Sequence, residues 1–209
     1  ATIAFTGLGV KVSSSLLAFS ENSLFLALLL AGITSTVLGM EVPTTAAYTV
    51  AVVVAGPVLV EAGLPPLVAH MFVFYLAILS AVTPPVCGAV FIAAGMADAN
   101  WVKTAGTALK LSFAIFILPF YFAYSPGLLI FDSPAVTAAH FLKTALSLLV
   151  LSSGFMGYLR SRLGPPVRIL LVTAGIMMLS PVAWIWCTGT AASLLLYFRD
   201  RRGEAKGVS

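Results

Sequence analysis

Two stretches of membrane length lie almost back to back in the first third of the chain, and a single carboxylate separates them. Neither Asn22–Met40 nor Val42–Val60 contains an Asp, Glu, Lys or Arg; only Glu41 stands between them. About 20 apolar residues in a row are what an α-helix needs to cross hydrocarbon. Lipid offers backbone N–H and C=O groups no partner, so only helices or closed barrels can span it. The rest of the chain is of the same kind: 60% of the 209 residues are hydrophobic and 9% charged, with a mean hydropathy of +1.08. Soluble domains carry about a quarter charged residues. The expected fold is an all-α integral membrane protein. The formal charge of +4 is then a statement about topology rather than about nucleic acid, which is not expected as a partner.

Charge and turn residues divide the chain into apolar blocks at 1–19, 22–60, 64–97, 104–125, 135–158 and 168–198. The first reads as the end of a span, with Lys11 snorkelling or facing protein. Nine of the eleven Lys and Arg fall in three clusters: Lys103 and Lys110; Arg160, Arg162 and Arg168; Arg199, Arg201, Arg202 and Lys206. The positive-inside rule makes all three cytoplasmic. Block 104–125 then runs outward and block 135–158 inward, and "AYSPGLLIFDSPAV" between them is periplasmic. Block 64–97 enters from outside and ends inside at Asp98. Block 22–60 is left with both ends, Glu21 and Glu61, outside, which reads as a re-entrant hairpin with "GMEVPT" at its tip. Block 168–198, flanked by arginines and bent near Pro181, reads as a cytoplasm-facing hairpin or an interfacial pair of short helices. The chain opens at Ala1 without a signal-peptide pattern, and is expected to be a fragment of a longer protein.

Two of the blocks are broken at membrane depth, one at 39–45 and the other in "AVTPPVCG", residues 81–88. Gly39 can end one half-helix, and Pro43, followed by Thr44 and Thr45, can start the next. In the second break Thr83 precedes Pro84 and Pro85, with Gly88 just beyond. Non-helical backbone persists inside a membrane only where protein, water or an ion satisfies it. A half-helix that ends there presents carbonyls and partial negative charge; one that starts there presents N–H groups and partial positive charge. Secondary transporters build ion and substrate sites in this way. The plainer reading is a pair of structural proline kinks.

Other residues carry weaker signals. Cys87 and Cys187 fit no metal or redox spacing and read as small core residues. His70 and His140 lie near periplasmic ends of spans and read as interfacial residues rather than proton relays. Trp101, Trp184, Trp186 and Tyr124 read as interface aromatics. "GLGVKVSSS" lacks the strand–turn–helix setting of a phosphate loop. No nucleophile–base pair, aspartate pair or HExxH motif suggests an intramembrane enzyme. An anchoring subunit without a transport site is the alternative, and the two polar breaks argue against it, since an anchor needs uninterrupted helices.

"GMEVPTTAAY" and "LSAVTPPV", about 30 residues apart, resemble the large membrane subunit of tripartite ATP-independent periplasmic (TRAP) transporters, most of all the form fused to the small subunit. The likeness is strongest over residues 1–125; "TGLGVKVSS" and "FMGYLRSRLGPPVRILL" are similar too. The resemblance implies a multi-pass permease of the bacterial inner membrane, fed by a periplasmic substrate-binding protein and importing organic acids. It implies coupling to an ion gradient, usually sodium, and no other cofactor. It also implies two inverted repeats working as an elevator. This chain would hold the second repeat in 1–125 (hairpin 22–60, broken helix 67–97, span 104–125), and 126–209 would be a membrane extension with a basic cytoplasmic tail. The missing N-terminal part of the permease would be a partner, together with the bilayer. Carried over residue by residue, the ion and substrate neighbourhood is Gly39, Pro43, Thr44 and Thr45 with Thr83, Pro84, Pro85 and Gly88, and sodium is expected near Gly39 and Thr83. Glu41 departs from the glycine common in the fused form. A charge at mid-bilayer costs about 2.5–3.5 kcal/mol on insertion scales, so Glu41 should face water, protein or an ion. It signals a different coupling ion, such as a proton, or a merely hydrated tip.

Overall fold

The computed structural model describes residues 7–20, 23–40, 42–129, 133–159, 163–180 and 182–206. Its helices are α1 (Leu8–Ser20), α2 (Leu24–Gly39), α3 (Thr44–Glu61), α4 (Pro66–Leu79), α5 (Gly88–Met96), α6 (Trp101–Tyr124), α7 (Pro134–Met156), α8 (Pro165–Leu179) and α9 (Ala183–Lys206). Short 3₁₀ turns follow α4 at Ser80–Val82 and α6 at Pro126–Leu129. Local chemistry sets the ends. Proline opens α4, α7 and α8, where its missing N–H would have had no helical partner. Ser23 Oγ caps α2 by accepting the Leu26 N–H, and Asn100 Oδ1 accepts those of Val102 and Lys103 at the start of α6. Gly157, at φ 70°, closes α7 in the left-handed conformation that glycine adopts freely. α3, α6 and α7 are long and apolar enough to cross a membrane. The 16 residues of α2 rise about 24 Å and the 18 of α3 about 27 Å, against a hydrocarbon core of about 30 Å.

The chain divides into two units: residues 1–109 with 122–124, and residues 110–121 with 125–209. In the first, α2 and α3 form a helical hairpin, and α1 and α4 pack against both of its arms. Small residues let the backbones approach: Ala27, Ala31, Ala47, Ala51 and Ala55 are completely buried, interleaved with Leu28, Leu59 and Phe72. Pro57 lies inside α3. One turn before it, Val54 O accepts the hydroxyl of the buried Ser13 at 2.6 Å, which ties α1 to the hairpin. After α4 the chain breaks and resumes as α5, where Cys87 and Val90 pack with Ala105 of α6.

In the second unit α8 packs between α7 and α9. Glycines mark each close approach. A β-carbon on Gly175 would lie 2.6 Å from Leu151 Cγ, and one on Gly189 would lie 2.8 Å from the Ala174 carbonyl oxygen. Leu151 and Leu179 join Ala114 and Tyr121 in the core of this unit. Block 168–198 is a pair of helices, but its second member is not short: α9 runs 24 residues to Lys206. Arg, Glu, Ala and Lys in "RDRRGEAK" are good helix formers and carry the helix past the last apolar residue. Pro181, the expected bend, lies outside the described residues.

Cys87 is buried, as a small core residue should be, but Cys187 is exposed. α9 meets α8 through Gly189 and the buried Ser193, and Cys187, two positions before Gly189, falls on the opposite side of a helix with 3.6 residues per turn. Lys11 is exposed. Trp184 is 83% exposed, whereas the Trp186 ring nitrogen is buried without a hydrogen-bond partner.

Candidate functional site

The first break lies between α2 and α3. Gly39 is the last residue of α2, and Met40 turns into an extended conformation. The carbonyls that end this helix are weakly satisfied: Val37 O accepts the Met40 N–H, and Gly39 O the Val42 N–H, each at 3.4 Å. Good N–H···O bonds are 2.7–3.2 Å. Pro43 precedes α3 and supplies no side-chain cap, so among the described residues no side chain meets the leading N–H groups at Thr44 and Thr45. Pro43, Thr44 and Thr45 are all exposed. Glu41 lies outside the described residues.

The second break follows from its prolines. Ala81 would bond forward to residue 84 or 85, and both are proline without an N–H. Ser80 keeps one partner, the Thr83 N–H at 3.0 Å, and Thr83 O accepts the Cys87 N–H at 3.3 Å. The Pro84–Pro85 bond is cis, and Cys87 takes a φ of 27°, a left-handed backbone uncommon for a residue bearing a side chain. Gly88 then begins α5. Thr83 is half-buried, but its hydroxyl donates to Leu79 O at 2.8 Å. Its proton is thus committed to the backbone, and only its lone pairs remain to meet a cation.

The two breaks meet at Gly39. A β-carbon there would lie 2.7 Å from the Ala77 carbonyl oxygen and 2.8 Å from Ser80 Oγ. The end of α2 is therefore seated against the last turn of α4, just where that helix unwinds. Ser80 is buried and donates to Ala77 O at 2.6 Å, which leaves its lone pairs as acceptors. Among the described residues, the ligand atoms gathered around Gly39 are oxygens, in backbone carbonyls and the hydroxyls of Ser80 and Thr83, and such a set suits a hard monovalent cation better than a soft metal. Among the described residues no hydrogen bond joins Thr44 or Thr45 to the second break.

Sequence reasoning passed over two features of this region. Ser80 stands in "LSAVTPPV" three residues before Thr83, so a hydroxyl one turn ahead of the prolines was its available signal. The other is a polar pair on the flank of the hairpin, where Tyr48 Oη and His70 Nδ1 are 2.7 Å apart and the Tyr48 ring stands edge-on to Phe74. Residues 22 apart on two helices leave no local pattern. His70 is exposed on α4, and His140 Nδ1 on α7 is buried without a partner.

The family described as "Tripartite ATP-independent periplasmic transporter, DctM component" matches residues 1–135, which takes in both breaks and ends as α7 begins. No curated protein and no solved structure matches the chain. A match over well more than half of the 209 residues and a helical architecture with membrane-length spans lead to one conclusion: the chain belongs to the DctM family of TRAP transporter permeases.

Proposed function

We propose that this chain supplies the second-repeat half of an ion and substrate site in a secondary transporter that imports organic acids, driven by sodium and fed by a periplasmic binding protein. The observation that carries the reading is the seating of Gly39 against Ala77 and Ser80. It brings one helix end and one helix break together, each with under-used carbonyls. On this reading the carbonyls of Gly39 and Ala81, with the lone pairs of Ser80 and Thr83, hold the cation. The helix starts at Thr44 and Gly88 turn their N–H groups toward the substrate carboxylate. The hairpin is re-entrant from the periplasmic side of the inner membrane, and the first inverted repeat and the small-subunit region complete the permease. Residues 1–125 form the transport half, and 126–209 are a membrane extension.

Thr83→Val tests the cation assignment, because it keeps the shape and removes the oxygen. Uptake in vesicles with the binding protein present should need a several-fold higher sodium concentration for half-maximal rate. The binding protein's own affinity for substrate should not move. Unaltered sodium dependence would leave only the structural kink reading of this break. Glu41→Gln decides the coupling ion: if Glu41 carries a proton, the pH dependence of uptake disappears in the variant. A hydrated tip leaves the profile unchanged, in keeping with sodium coupling.

A further inference from the structure

The second unit contains an apolar groove that the transport reading does not use. It has a volume of about 410 Å³ and is walled by Leu149 and Ser153 of α7, Leu171 and Met178 of α8, and Ser193 and Tyr197 of α9. Its wall is oily even where it carries hydroxyls. Ser153 donates to Leu149 O at 2.9 Å, Thr190 to Cys187 O at 2.8 Å and Ser193 to Thr190 O at 2.9 Å. Each hydroxyl thus has an acceptor within the protein, Ser193 also reaching Met178 Sδ of α8 at 3.8 Å, so the groove asks for an apolar occupant. Leu149 and Leu194 at its rim are 66% and 55% exposed.

Charge identifies the occupant. From Thr190 to Tyr197 the groove follows α9 for about 10 Å, and on the other side it reaches Leu159, just past the end of α7. Beyond Tyr197 the same helix carries Arg199, Arg201, Arg202 and Lys206, offset only by Asp200 and Glu204. α8 begins at this end with the exposed Arg168, whose guanidinium donates to Gly154 O at 3.2 Å and Phe155 O at 2.9 Å. An apolar slot thus runs toward a basic helix end. By the positive-inside rule that end faces the cytoplasmic leaflet, where anionic headgroups attract juxtamembrane Lys and Arg.

We propose that this groove binds an acyl chain of an anionic phospholipid from the cytoplasmic leaflet, with the headgroup against the basic end of α9. The test uses full-length protein equilibrated in nanodiscs of equal phosphatidylglycerol and phosphatidylcholine, and counts the lipids retained after detergent extraction by mass spectrometry. Phosphatidylglycerol should be enriched about tenfold or more, at roughly fivefold per effective arginine. Replacing Arg199, Arg201 and Arg202 together by Gln should bring the ratio near one. Thr190→Trp, which fills the groove, should cut retained phosphatidylglycerol at least fivefold with the tail charges intact. Ser153→Phe fills it from the opposite wall and serves if circular dichroism shows Thr190→Trp unfolded. Equal retention of the two lipids overturns the proposal. So does phosphatidylglycerol retention that neither groove variant lowers, which would mean attraction to the tail alone. Cysteines at Leu149 and Leu194 that cross-link two copies of the chain overturn it as well, since a second copy would then cover the groove.

Discussion

A β-carbon on Gly39 would sit 2.7 Å from a backbone oxygen, at Ala77, and 2.8 Å from Ser80 Oγ. Backbone cannot swing aside as a flexible side chain can, so Gly39→Ala should force the hairpin away from the break. Overpacking of this kind costs about 1–3 kcal/mol, and the melting temperature in detergent should fall accordingly. Gly106 in α6 is the matching control, with nothing within 4 Å of the same atom. Gly106→Ala should hold or raise the melting temperature, because glycine inside a helix is worse than alanine by about 0.5–1 kcal/mol. Equal melting temperatures for the two variants would mean that Gly39 is not in contact with α4.

At the scale of elements, a single polar link between helices can be weighed by removing it. Ser13 Oγ to Val54 O, at 2.6 Å, is one such link between α1 and α3. Hydrogen bonds between membrane helices average about 0.6 kcal/mol and reach about 1.7. Ser13→Ala should therefore cost a measurable but small amount of thermal stability, and a loss above that range would mean that α1 is held by more than this bond. Close packing also joins the C-terminal helices. Gly175→Val would drive a side chain into Leu151, whose Cγ is already 2.6 Å from the β-carbon position. The expected loss is about 1–3 kcal/mol, read as a lower melting temperature and faster proteolysis between α7 and α8.

For the whole molecule, the distribution of Lys and Arg gives a topology that labelling can check. In a background lacking Cys87 and Cys187, cysteines at Glu61 and Ser133 should react with impermeant thiol reagents from the periplasm. Those at Lys103 and Gly164 should react only after the membrane is opened. Removing Cys187 matters most, because it is the exposed native thiol. If a cysteine at Ser23 labels from the side opposite Glu61, the hairpin crosses the membrane rather than turning back within it.

The sequence alone determined the helical class, the placing of both breaks and the membrane setting. These depend on local causes: the length of uncharged runs, prolines that lack an N–H, glycines that end helices. Pro84 and Pro85 strip Ala81 of its forward partners in any tertiary context. Only the tertiary structure decided that Gly39 meets Ala77 and Ser80, that Tyr48 pairs with His70, and that Cys187 points outward. In water a helix advertises its buried face by hydrophobic periodicity. In lipid that signal fades, because the surrounding tails are as apolar as leucine and an outward Leu149 resembles a buried Leu151. Which faces meet is then set by backbone approach and small-residue packing between positions far apart in the chain, and no local pattern encodes it.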